Sequence, residues 1–190
     1  MKKLIAAFVG SMALASAPVA LSAEATKELK MAYDADPVTL DIHEQLSGGI
    51  LQLSHMTFDP LLRWTKDLGF EPRLAESWER IDENTMRFKL REGVKFHSGN
   101  ELTTADVKFT FDRLKQSQDF KAIFKPFSSI NIIDDYTFEL VTSEPYPLLL
   151  NTATYIFPFD SEFYSGQTED GKDKSAILKH GNSFASENLS

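Results

Sequence analysis

The stretch "LAESWERIDENTMRFKLREGVKFHSGNELTTADVKF" runs from Leu74 to Phe109 and holds most of what decides the fold. Met86, Phe88 and Leu90 alternate with Arg87, Lys89 and Arg91, the period of a strand buried on one face. Asp82-Glu83-Asn84 before it is a turn, and Glu92-Gly93 after it is another. Val94-Lys95-Phe96 reads as a second short strand, and His97-Ser98-Gly99-Asn100 as a loop. A marked helix start follows. Thr103 is the N-cap, Asp106 stands three residues on as in a capping box, and Leu102 is placed to staple onto Val107. Val107, Thr110, Phe111 and Leu114 form the stripe expected to be buried. Arg87, Lys89, Arg91 and Lys95 then lie along the solvated face of a strand rather than forming a nucleic-acid surface.

"IDENTMRF" at Ile81 is echoed by "IDDYTFEL" at Ile133. Each reads as a strand, a tight acidic turn and a returning strand, so two hairpins of one sheet are expected. Upstream, Ser47 to Phe58 is a helix capped by Ser47, with Ile50, Leu53 and Thr57-Phe58 on one face, and Pro60 closes it. "PLLRWTKDLGFEPRLAESW" reads as irregular, with a turn at Lys66 to Gly69. Leu29, Met31 and Tyr33 alternate as a short first strand that ends in the Asp34-Ala35-Asp36-Pro37 loop. Downstream, "EPYPLLLNTATYIFPFD" is a short helix entered through Pro145 or Pro147, with a break at Pro158. From Ser161 to Ser190 apolar residues thin out and no period persists. The class is α+β: a mixed or antiparallel sheet packed on a few helices.

The N-terminus carries a different signal. Lys2 and Lys3 precede an apolar run from Leu4 to Leu21 that ends in small residues, the pattern of a secretory signal peptide over residues 1–23. Gly, Ser and Pro18 interrupt the run, which argues against a membrane-spanning helix. There is no cysteine, so there are no disulfides and no lipoprotein anchor. The expectation is a periplasmic protein, exported and not a lipoprotein, held together by its core. Without Lys2 and Lys3 the chain keeps 18 basic against 28 acidic residues, a charge that repels nucleic acid and anionic lipid.

Catalytic patterns are missing. No G-x-S-x-G, H-E-x-x-H, P-loop or G-x-G-x-x-G occurs, and thiol chemistry is excluded. His43 with Asp41 is the only suggestion of a metal site, and its spacing is not diagnostic. Neither a cofactor nor a metal is expected. The alternatives to a binding protein are a secreted hydrolase with an unrecognised site and a stand-alone small binding module.

"FDPLLRW", "EPRLAESWE", "LREGVKFHSG" and "LTTADV", in that order and spacing, resemble the extracellular solute-binding proteins of family 5, which serve ABC importers of oligopeptides, dipeptides and nickel. "LDIHEQ" and "PYPLLL" also fit that family. Ser98 stands where the family has Asp, and Thr104 where Ala is commoner. The resemblance implies a fragment of a periplasmic-binding-protein-like fold of class II type. Residues 24–190 would supply the first strand of lobe I, a small extra domain at about 45–160 and a polar return segment at 161–190, with the second lobe absent. It implies no catalysis. The expected partners are a peptide or other small solute and the membrane permease subunits of an importer, and the expected state is a monomer. It places Tyr33, Asp34 and Asp36 on a loop that faces the ligand cleft. There Asp36 would meet a peptide ammonium, Asp34 would lie nearer solvent, and Tyr33 would pack on the ligand backbone.

Overall fold

In the computed structural model, residues 36–179 and 181–190 are described. The expected strand at Leu29 to Tyr33 lies outside the described residues, as do Tyr33 and Asp34 themselves. The helix α1 (Gly48–Thr57) starts where expected, with the Ser47 hydroxyl accepting the Ile50 N–H at 3.4 Å. Ile50 and Ser54 are its buried residues, while Leu53 is half-buried and Thr57 is exposed. The stretch after Pro60 is not irregular. It folds as a hairpin of β1 (Leu62–Trp64) and β2 (Phe70–Pro72), with Trp64 and Phe70 paired and their rings 4.6 Å apart. Three-residue strands are too short to show a period, so the alternation test misses them. Leu68 closes this hairpin at φ 62, a left-handed position that disfavours a side chain by about 1–2 kcal/mol.

The main sheet is four-stranded and antiparallel. It comprises β3 (Ala75–Arg80), β4 (Thr85–Leu90), β5 (Phe127–Ile132) and β6 (Thr137–Thr142), in the order β3-β4-β6-β5. The two echoed segments are its two hairpins, as expected. In the first, the Ile81 and Asp82 amides donate to the Thr85 carbonyl, and Asp82 Oδ1 accepts the Asn84 N–H at 2.8 Å. In the second, Ile133 and Asp134 donate to the Thr137 carbonyl, and Asp134 Oδ1 accepts the Tyr136 N–H at 2.8 Å. The likeness extends to the irregularities, since β3 shifts register between Ala75 and Ser77 and β5 between Phe127 and Ser129. Met86 pairs with Leu140 and Phe88 with Phe138, so a pseudo-twofold axis passes through the central pair Arg87–Glu139. That pair sits on the solvent side, where Arg87 binds Glu139 at 2.7 Å and Glu79 at 3.2 Å; Lys89 binds Glu76 at 2.8 Å. Arg87 and Lys89 of the basic strip are thus matched by carboxylates, while Arg91 donates to the Arg73 carbonyl.

On the other side, Met86, Phe88, Leu90, Phe138 and Leu140 are buried under α2 (Thr104–Gln116). The capping box forms: Asp106 Oδ2 accepts the Thr103 amide at 2.8 Å and its hydroxyl at 3.1 Å. Leu102 and Val107 are both buried, consistent with the staple. The short helix α3 (Lys121–Phe124) adds Phe124, whose ring meets Phe111 edge-on. Val94-Lys95-Phe96 is not a strand; only one isolated bridge, Lys95 to Glu101, forms there. The Gly93 turn and the His97–Asn100 loop leave no neighbour to which that segment could pair for longer. The helix α4 (Leu149–Ala153) begins two residues after Pro147. Among the described residues from Ser161 onward the chain is turns, an isolated bridge between Gln167 and Asp173, and a 3-10 turn at Phe184–Ser186, as its composition implies. It still contributes Tyr164 and Ala185 to a second small core with Ile42, Phe157 and Phe159. Among the described residues, no helix is long and apolar enough to cross a membrane.

Candidate functional site

Helix α2 has two buried faces. Its apolar stripe packs on the sheet. Asp106, Thr110 and Arg113, at i, i+4 and i+7, form a second stripe on an adjacent face. This stripe is polar because it meets backbone. Asp106 Oδ1 accepts the Ser161 N–H at 2.8 Å, and Thr110 Oγ1 accepts the Phe159 N–H at 2.8 Å. The Arg113 Nε–H donates to the Ser175 carbonyl at 2.9 Å. Asp160 extends the arrangement: it accepts from Ser98 Oγ, Asn100 Nδ2 and the amides of Glu162 and Phe163. The serine found where the family resemblance expects aspartate is therefore a donor to Asp160, and a second carboxylate there would be repelled.

Arg113 also reaches the segment that follows the Asp36-Pro37 loop. Its guanidinium, 4% exposed, forms an ion pair with Asp41, 0% exposed, through both terminal nitrogens, one at 2.8 Å. The Asp41 carboxylate also accepts the Ser183 hydroxyl at 2.7 Å and the His43 N–H at 3.1 Å. Arg113 can only donate, so His43 Nδ1, 2.9 Å from it, is the acceptor. The ring proton then lies on Nε2 and is donated to the Phe157 carbonyl at 3.0 Å. His43 is fully buried against the Phe159 ring, 4.2 Å between centroids, and Arg113 lies 5.1 Å over that same ring. Burial and the neighbouring Arg113 charge push the His43 imidazole down to about 3, so it is neutral. Burial opposes ionisation of Asp41, but the hydrogen bonds and charge of Arg113 outweigh it and hold the carboxyl below its ordinary value.

This cluster is Asp, His and Ser, yet it is not a nucleophile triad. Ser183 is 2% exposed and donates to Asp41 rather than to the histidine, and both imidazole nitrogens are occupied. It does not form a metal centre either, because Arg113 occupies both Asp41 and His43. Among the described residues, no group of three or more potential ligands is clustered. What the arrangement does is tie residues 39–44 to α2, to Phe157, to Ser175 and to Ser183.

Asp36 lies at the start of the described chain and is exposed. The residues of its loop that precede it, Asp34 and Ala35, lie outside the described residues. Val38 and Leu40 are also exposed, at 59% and 46%, while Thr39 and Asp41 between and beyond them are buried. A separate pocket of about 330 Å³ opens beside Pro158, walled mostly by apolar groups such as Phe58, Leu74, Phe96 and Tyr164. Asp36 is not one of its wall residues. Arg113 and Ser183 are the members that the sequence reading passed over. The i, i+4, i+7 spacing of Arg113 with Asp106 and Thr110 is visible in the sequence but does not by itself report burial, and nothing in the polar tail singles out Ser183.

Residues 69–181 match the family model for bacterial extracellular solute-binding proteins, family 5 Middle. YhjP of Bacillus subtilis, an uncharacterised protein, is 35% identical over 95 residues, which are 48% of this chain and 16% of that protein. The glutathione-binding protein GsiB of Escherichia coli K12 is 26% identical over 145 residues, or 74% of this chain and 28% of that one. Among solved structures, an ABC transporter substrate-binding protein from Sinorhizobium meliloti superposes with a TM-score of 0.53 and 30% identity, covering 60% of this chain and 24% of that one. The chain thus spans less than a third of the length of these relatives.

Proposed function

The chain belongs to the bacterial extracellular solute-binding proteins of family 5, and from this premise we propose that it acts as the periplasmic solute-capturing part of an ABC importer for peptides or a closely related small solute. The observation that carries the reading is the 26% identity over 145 residues to a glutathione-binding protein, since glutathione is itself a small peptide. In this reading the described residues hold the extra domain at about 45–160 and the return at 161–190. The solute is enclosed between this part and a second lobe. No covalent chemistry is involved, the chain works as a monomer, and its other partners are the permease subunits of the importer.

Tyr33, Asp34 and Asp36 are the solute-contacting residues of this reading. The exposure of the Asp36 side chain supports a role in meeting an ammonium group. In the complete gene product, Asp36→Asn keeps the shape and removes the charge. Affinity for free-amine di- to pentapeptides should fall about ten- to hundredfold, as expected for a charge-assisted bond worth about 1.5–3 kcal/mol. N-acetylated peptides should bind the parent weakly and the variant no worse. Calorimetry that finds equal affinities for the free-amine peptides would remove Asp36 from the site, and no saturable heat with any peptide would remove the peptide assignment.

Export is part of the same proposal. The charged Lys2-Lys3 start, the apolar run and the small residues at Ala20 to Ala25 are read as a cleaved signal without lipid attachment. N-terminal sequencing of protein from the periplasmic fraction should begin between Ala23 and Thr26. Intact Met1 in the cytoplasmic fraction would overturn it.

A further inference from the structure

The segment from Asp36 to Glu44 combines two features that seldom occur together. Its outward residues Asp36, Val38 and Leu40 are exposed, two of them apolar. Its inward residues Thr39, Asp41, His43 and Glu44 are polar and buried. A surface segment without regular structure is ordinarily mobile. This one is held from several sides. Asp41 is gripped by Arg113 and Ser183, His43 by Arg113 and the Phe157 carbonyl, and the Asp41 amide by Thr39 Oγ1 at 3.0 Å. Glu44 accepts the Gly181 N–H at 3.3 Å. Gly181 itself, at φ 71, passes so close that a Cβ there would lie 2.9 Å from the Val38 carbonyl oxygen. Several of these contacts meet at one donor group: Arg113 touches Asp41, His43, Ser175 and Ala176.

We propose that Arg113 is a positioning residue: its buried fork, acting through Asp41 and His43, fixes the backbone of residues 36–44 and so presents Asp36, Val38 and Leu40 as a rigid wall toward the solute. The fork geometry matters as well as the charge. A planar guanidinium reaches both Asp41 oxygens, His43 Nδ1 and two backbone carbonyls at once, which a lysine ammonium on the same helix position cannot do. Val38 and Leu40 then add apolar contact beside the Asp36 carboxylate, which fits a solute with an ammonium group and a neighbouring apolar side chain. This last consequence rests on the solute-binding reading above; the clamp does not.

Amide hydrogen exchange on the full chain tests the clamp without any ligand. The reporters are the amides of Asp41, His43 and Glu44, which are bonded within the network. In Arg113→Lys they should exchange at least tenfold faster, together with residues 181–186, while amides of β4 and β6 keep the parental rate. Ser183→Ala removes one of the bonds to Asp41 and should show the same local pattern at about a threefold increase, which keeps the test informative if Arg113→Lys folds poorly. Unchanged exchange at 41–44 overturns the proposal. So does a uniform rise across β4 and β6, because the ion pair would then be a general stabiliser. In the complete gene product, affinity for trialanine, used as the probe, should fall at least tenfold in Arg113→Lys with unchanged secondary structure. Local opening without loss of affinity would keep the clamp and detach it from the solute site. Absence of trialanine binding by the parent would count against the solute reading, while the exchange result still decides the clamp.

Discussion

Asp41→Leu should destabilise the fold by about 3–5 kcal/mol, because it leaves the Arg113 guanidinium buried without a counter-charge. Arg113 keeps the Ser175 and Ala176 carbonyls, His43 Nδ1 and the Phe159 ring, but none of these is an anion. The Ser183 hydroxyl and the His43 amide also lose their acceptor. Pairing the change with Arg113→Met removes the orphaned charge and places two apolar side chains of similar bulk between Phe159 and the return segment. The double variant should recover most of the loss, since apolar replacement of a whole buried ion pair is often neutral or stabilising. Urea titrations of the parent, both single variants and the double variant give the comparison. A single Asp41→Leu within about 1 kcal/mol of the parent would mean that water reaches Arg113 and that the pair is not sealed.

The contrast between that network and the sheet shows what was legible in the sequence. Met86, Phe88 and Leu90 declare a half-buried strand because burial on one face forces a period of two, and the repeat at Ile133 declares its partner. The Thr103–Asp106 box is local, so three residues suffice to read it. The Asp106, Thr110 and Arg113 stripe is just as periodic, yet a polar helical face normally points to water. Only the path of a distant backbone, Phe159 to Ser175, turns it inward, and no pattern within α2 reports that path. The same holds for Asp41 and His43. Two residues apart, they offer a motif to several chemistries, and it is Arg113, seventy positions away, that makes them structural. The β1–β2 hairpin was hidden for another reason: its turn at Lys66 to Gly69 is legible, but strands of three residues are too short to show the period that would flank it. Of the three residues expected to face the solute only Asp36 is among the described residues, and its exposure is what keeps that expectation open to test.

Acid should weaken the fold well before its carboxylates titrate. His43 is neutral in the folded chain, where burial and Arg113 hold its pKa at about 3, against an ordinary 6.5. Between those two values the unfolded chain binds a proton at this position and the folded chain does not. Stability therefore rises with pH across that window and falls as pH drops below about 6.5. A full pH unit inside the window is worth about 1.4 kcal/mol for one such group, so moving from pH 7 to pH 5 should cost about 2 kcal/mol. His55, lowered by burial and by Arg63 and Arg73, adds in the same direction. Asp41 does not contribute there: its pKa lies below the ordinary 3.8, so the stability it supplies is lost only at lower pH. His43→Gln isolates the effect. A glutamine amide can donate to the Phe157 carbonyl and accept from Arg113, as the neutral ring does, but it cannot take up a proton. Urea midpoints measured at pH 7, 6 and 5 should decline in the parent and decline much less in His43→Gln. Equal declines in the two proteins would show that His43 is not the group responsible and that its site admits a proton without disrupting Asp41 and Arg113.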